Sequence, residues 1–205
     1  MSRKNKSKII AIINQKGGVG KTTTAVNLSA FFAASEIPTL VVDMDPQANC
    51  SSGLGIEPGS YKKSVYDVII GKKSIKQCIL KTDLEYLDVL PASSQLVGAE
   101  IELVGMITRE RMLKDQLMDK EIQKKYKYII IDSPPSLGLL TINVLTAANS
   151  LIIPIQCEYY ALEGLSQLLN TIRLVQKKLN KNLSIEGILA TMYDNRLNLS
   201  KEVVK

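Results

Sequence analysis

The residues best suited to chemistry lie in one short stretch, Asn14-Gln-Lys-Gly-Gly-Val-Gly-Lys-Thr-Thr-Thr24. Glycines at 17, 18 and 20 let backbone N–H groups curl around an anion. Gly20-Lys21-Thr22 matches the end of the phosphate-loop pattern G-x-x-x-x-G-K-[ST], while Gln15 stands where that pattern has its first glycine. A lysine at position 21 suits the β- and γ-phosphates of a nucleotide, and the Thr22 hydroxyl suits Mg²⁺. We therefore read Lys16, Gly17, Gly18, Val19, Gly20, Lys21, Thr22 and Thr23 as a triphosphate cradle. A glycine-rich turn without ligand is the plain alternative. Asp43 and Asp132 each close an apolar run, and together they suit a magnesium ion that keeps most of its waters. Asp45 is placed to orient an attacking water, although Asp45-Pro-Gln47 also reads as a turn.

These groups need elements to hold them. The apolar run Ile9–Ile13 predicts a strand, and Thr22–Ala34 predicts a helix with Ala25, Leu28, Phe31 and Phe32 at helical spacing. Thr39–Val42, Leu87–Leu90, Tyr128–Ile131, Leu151–Ile155 and Ile185–Met192 read as further strands. Leu96–Gln123 reads as a helix in two pieces around Gly105, Leu139–Ala148 and Leu162–Leu179 as single helices, and Leu197–Lys205 as the start of another. Alternation of strand and helix implies a doubly wound, mainly parallel α/β sheet. Ligands then bind beyond the carboxyl ends of the strands, where Asp43, Asp132 and the loop after Ile13 all fall. Residues 49–82 lack a clear period and read as a surface excursion. No internal repeat or linker divides the 205 residues, so a single domain is expected.

Composition narrows the chemistry. There is no histidine, which excludes Ser-His-Asp and Cys-His nucleophiles and histidine metal sites in this chain. Cys50, Cys78 and Cys157 are too scattered for a disulfide framework, a zinc site or an iron–sulfur site. With 26 Lys+Arg against 20 Asp+Glu the net charge is +6, a mild excess. It is uneven: Lys and Arg crowd the first eight residues, Lys62–Lys81, Arg109–Lys127 and Arg173–Lys205. A solvated basic surface and an anionic partner both fit that pattern. Residues 133–157 carry no charge, yet Pro134, Pro135 and Pro154 suit a buried strand–helix–strand run better than lipid. With no export signal visible, the expectation is a cytoplasmic protein.

The combination of Lys16–Thr24, Val41-Val-Asp-Met-Asp-Pro-Gln47 and Tyr128-Ile-Ile-Ile-Asp-Ser-Pro-Pro135 resembles the ParA/Soj family of DNA-partitioning ATPases, within the MinD/ParA group of deviant phosphate-loop proteins. The resemblance continues through Pro154–Gly164 and Thr191–Arg196. It implies ATP and Mg²⁺ as cofactors and a sandwich homodimer formed with ATP. Lys16 would reach the partner's phosphates, Lys21 and Thr22 would serve their own nucleotide, and Asp45 would place the attacking water. Catalysis would thus fall to Lys16, Lys21 and Asp45, with Thr22, Asp43 and Asp132 around the metal. It further implies non-specific DNA binding, with Arg196 on the DNA face and Lys201 and Lys205 as weaker candidates. A ParB/Spo0J-type partner would stimulate hydrolysis, the protein would be nucleoid-associated, and no stable membrane association is expected. A MinD-like membrane-surface ATPase is the first alternative, and a nitrogenase-type iron protein or biosynthetic ligase on the same scaffold the second. Family chains usually continue past this point through another strand, an adenine-holding loop and final helices. The expectation is therefore a shortened member: residues 1–8 form a basic tail, and Lys205 falls inside a helix with no capping signal.

Overall fold

The computed structural model describes residues 6–158 and 161–196, the side chains of 161–163 excepted. Six strands alternate with helices much as the periodicity predicts: β1 (Lys8–Ile12), β2 (Thr39–Asp43), β4 (Leu87–Leu90), β5 (Tyr128–Asp132), β6 (Ser150–Gln156) and β7 (Ser184–Thr191). They are joined by a two-residue strand, β3 (Leu80–Lys81). One sheet results, in the order β3-β4-β2-β5-β1-β6-β7. Every pair is parallel except β3–β4.

Continuous apolar strands are needed because both faces of the sheet are covered. Ile9, Ala11 and Ile13 enter the larger core with Leu40, Val42, Ile129 and Ile131. Ile10 and Ile12 point the other way, into a core shared with Val41, Val89, Ile130 and helix α1 (Lys21–Ala34). On the first face lie α4 (Leu96–Val104), α5 (Met112–Leu117), α7 (Leu139–Ala147) and α8 (Ala161–Lys178). The uncharged stretch 133–157 is thus a turn, the nine-residue α7 and β6. Among the described residues no helix is long and apolar enough to cross a membrane.

Three expectations need correction. The basic tail read at residues 1–8 does not extend through Ser7 and Lys8: Ser7 is buried and Lys8 opens β1, paired with Tyr128. Residues 49–82 are not a surface excursion. They hold α2 (Asn49–Gly53), α3 (Val65–Ile69), a 3₁₀ turn at Ile75–Gln77 and β3. Val65, Val68, Ile69, Ile75 and Cys78 are fully buried in the larger core. Each element is too short for a helical period, but reciprocal capping by Ser64 with Asp67 and by Ser74 with Gln77 marks the second and third of them. Leu96–Gln123 breaks twice, not once. After α4 and α5, Asp119 caps α6 (Lys120–Lys125) by accepting from the N–H groups of Glu121 and Ile122. The helix read at Leu197–Lys205, together with Lys201 and Lys205, lies outside the described residues.

Candidate active site

Register brings the site together. Asp43 at the end of β2 pairs with Asp132 at the end of β5, and Ile12 of β1 pairs with Asp132 on its other side. The loop leaving β1 therefore opens beside both carboxylates. Gly18 and Gly20 adopt φ of 75° and 89°, which only glycine tolerates without strain. A Cβ at Gly17 or Gly18 would meet nothing within 4 Å, so the space before the loop is open. The loop is tied down at several points. The Asn14 side chain accepts from the Lys16 N–H and donates to the Pro154 carbonyl, at 3.0 and 2.7 Å. The Gln15 amide donates to the Gly164 carbonyl, and the Thr191 hydroxyl donates to the Val19 carbonyl. The Val19 side chain is buried and anchors the loop tip.

The loop's two lysines part company. Lys21 is 6% exposed and folds across the loop, its Nζ donating to the Lys16 carbonyl at 2.9 Å. Burial lowers its ammonium pKa, opposed by Asp132 and Asp45. Lys16 instead points outward, its side chain 43% exposed, and pairs with Glu158 of the same chain at 2.5 Å. Thr22 lies in the first turn of α1 and Thr23 beside it is exposed.

Asp132 is fully buried. Its Oδ2 accepts from the Thr22 hydroxyl at 2.7 Å, while its Oδ1 has no donor. Burial pushes its pKa up to about 7, eased by Thr22 and reinforced by Asp43. Asp43 is equally buried but fully engaged. Its Oδ2 accepts from the Ser51 hydroxyl and N–H at 2.7 and 2.8 Å, and its Oδ1 accepts from the Asp45 N–H at 3.1 Å. Burial raises it to about 6 despite those bonds. Asp45 is half-buried and builds the turn that follows, accepting from the N–H groups of Gln47 and Ala48. Ser51 and Glu158 are members of the site whose contacts sequence reasoning missed. Ser51 sits at no periodic position, and the Lys16–Glu158 pair spans 142 residues. Arg196 follows β7 and forms a two-pronged pair with Asp194 at 2.6 and 2.9 Å.

Among the described residues no three carboxylates, thiols or imidazoles converge to hold a metal unaided. A magnesium ion in a nucleotide site takes only one or two protein oxygens and draws the rest from phosphate and water. Thr22 Oγ1 and the partnerless Asp132 Oδ1 meet that demand.

A glycine loop clamped between the inner strand β1 and its following helix, with a buried lysine, places the chain among the phosphate-loop nucleotide-binding proteins. Comparison with known proteins narrows this. A family model described as an AAA domain matches residues 7–185. The sporulation initiation inhibitor protein Soj of Bacillus subtilis is 59% identical over 97% of the chain and 78% of its own length. The chromosome partitioning protein ParA of Myxococcus xanthus is 54% identical over 97% of the chain and 69% of its own length. A crystal structure of cobyrinic acid a,c-diamide synthase from Mycobacterium smegmatis, with bound ATP analog and magnesium, superposes with a TM-score of 0.89 at 40% identity, over 97% of this chain and 80% of that one. A plasmid partition protein from Borrelia burgdorferi reaches 0.83 at 30%, over 97% and 83%. The chain belongs to the ParA/Soj family of partitioning ATPases.

Proposed function

We propose that this chain couples hydrolysis of Mg-ATP to DNA partitioning. It would do so as a homodimer that binds DNA without sequence preference and is released by a ParB-type partner, near the nucleoid. The observation that carries the reading is the division of labour between Lys16 and Lys21. One lysine is folded into its own loop; the other stands on the rim and is free to serve a second copy of the chain once it leaves Glu158. Magnesium bound with the triphosphate would supply neutralisation of the phosphate charge. Thr22 and Asp132 would hold its protein side. Asp43, whose oxygens are taken by Ser51 and Asp45, would act only through water. Lys21 and the glycine N–H groups bind the phosphates. Lys16 stabilises charge developing in the partner's site, as an arginine finger does. Asp45, fixed by its own turn, orients the attacking water. Arg196 contributes to the DNA face.

Soj of Bacillus subtilis and ParA of Myxococcus xanthus stand at 59% and 54% identity, against 40% for the protein named as a synthase and 30% for the plasmid partition protein, and the two higher values favour DNA traffic over small-molecule ligation. The test is DNA affinity measured with ATP, ADP and no nucleotide at several salt concentrations. ATP-dependent, salt-sensitive binding is expected. Binding to anionic vesicles with none to DNA would overturn the reading in favour of a membrane-surface ATPase.

A further inference from the structure

Three of the lysine-rich stretches are far apart in sequence but meet on one face of the fold. A cavity of about 170 Å³ is lined by Lys6, Lys124, Lys125 and Lys127, and no acidic residue lines it. A second cavity, of about 270 Å³, shares Lys125 and Tyr126 with the first and adds Lys76 and Lys81. A third, of about 440 Å³, shares Leu80 and Lys81 with the second and adds Lys62 and Lys63. The three concavities therefore join into one track lined by eight lysines and only two acids, Asp88 and Glu121. Those acids are already committed. Asp88 is buried and pairs with Lys125 at 2.7 Å and Lys81 at 3.2 Å, while Glu121 pairs with Lys76 at 3.1 Å. Lys6, Lys62, Lys63, Lys124 and Lys127 have no ion pair among the described residues.

The backbone under these lysines is firmly held. The Ser7 N–H donates to the Gln123 side chain at 3.1 Å and the Ser7 hydroxyl to the Tyr126 carbonyl at 2.6 Å. The Lys8 N–H donates to the Lys127 carbonyl at 3.0 Å. The chain entering β1 is thus fastened to the chain entering β5. The track begins at the amino ends of these strands, whose carboxyl ends carry the nucleotide loop and Asp132. It can be occupied while the nucleotide site is full, and it is separate from Arg196, which follows the carboxyl end of β7.

We propose that this track is a second DNA contact, gripping the sugar–phosphate backbone from the sheet edge opposite the nucleotide. The inference rests on the reading that the chain binds DNA at all. A linked series of open concavities suits a repeating anion better than a single small one. Lysines, as mobile point charges without the planar fork of arginine, suit phosphates without reading sequence. A bilayer fits less well, because the lysines line concavities in which Ile122 is only 3% exposed, whereas insertion needs a protruding apolar face.

The test is a triple charge reversal in the full chain, Lys6→Glu, Lys124→Glu and Lys127→Glu, read by fluorescence anisotropy on a random-sequence duplex across a salt series with ATP. The plot of log affinity against log salt should flatten by about 3, since each lost phosphate contact removes about 0.9 from the slope. Affinity at low salt should fall roughly 10- to 100-fold, with nucleotide affinity and basal hydrolysis unchanged. Lys124→Gln with Lys127→Gln, melting as the parent does, should flatten the slope by about 2 and serves if the reversal fails to fold. An unchanged slope, in a parent that binds DNA and loses binding on Arg196→Glu, would overturn this inference alone. A parent that binds no duplex in any nucleotide state would overturn the DNA reading with it. Loss of binding to phosphatidylglycerol vesicles, with DNA affinity intact, would assign the track to a membrane and refute the proposal.

Discussion

Asp132 offers a sharp test of the electrostatics of the site. It is fully buried, has one donor in Thr22 and has an orphan oxygen, and burial lifts its pKa from 3.8 to about 7. A folded-state pKa above the unfolded one means that the native chain holds this proton more tightly. Asp132 therefore favours folding most at low pH, and that contribution is lost as pH rises from 3.8 through about 7. At pH 8 the buried charge costs about 4 kcal/mol, at 1.36 kcal/mol per pH unit. Asp132→Asn removes that charge. The amide regains the Thr22 hydroxyl as a donor, but its NH₂ lacks an acceptor, which costs back about 1–2 kcal/mol. We expect a net stabilisation of about 2 kcal/mol at pH 8 without nucleotide or magnesium, or roughly 4–8 °C in melting temperature for a chain of this size. At pH 5 the gain should vanish or reverse, because the parent is already protonated. Thermal denaturation of both proteins at the two pH values in EDTA decides the matter. The same variant should gain nothing from added Mg-ATP, whereas the parent should melt higher. An Asn variant that melts below the parent at pH 8, or follows the parent's pH dependence, would refute the buried-charge argument.

Other expectations can be checked in parallel. Lys21→Ala should lose nucleotide binding by equilibrium titration, whereas Lys16→Ala should bind ATP normally and lose turnover. Asp45→Ala should bind ATP and dimerise but hydrolyse slowly; turnover at the parent rate would remove it from water positioning. Ser51→Ala takes a donor from the Asp43 carboxylate and leaves the Ala92 N–H, bonded to Ser51 Oγ at 3.1 Å, without its acceptor. It should destabilise by about 2–4 kcal/mol in urea, and Ser51→Thr, which keeps the hydroxyl, should recover most of that. Ala48 sits at φ 54°, so Ala48→Gly should stabilise by about 0.5–1 kcal/mol.

The sequence made the sheet legible because the inner strands are buried on both faces and so are written as short, mostly apolar runs. The loop and the aspartates were legible because glycine, lysine and carboxylate fall at strand ends, where a parallel sheet must place its ligands. Two kinds of feature escaped. The α2–β3 region escaped because its elements run two to five residues, shorter than one helical repeat pattern needs, so that only caps betray them. Ser51 escaped because its importance comes from what the turn at Asp45 brings above it, and Glu158 because a contact across 142 residues has no local signature. The second break in 96–123 was written in Asp119, whose capping role outweighs the surrounding helical propensity.

The pair of Lys16 with Glu158 has a consequence for timing. Both side chains are nearly half exposed, and such pairs are worth about 0–1 kcal/mol. A hold that weak leaves the lysine released for at least about a sixth of the time. It swings between its own glutamate and the solvent on the nanosecond scale of exposed side chains, far faster than two chains can meet. On the proposed role of Lys16 in a second copy's site, its release from Glu158 is too fast to limit the reaction, and turnover per chain should rise with protein concentration.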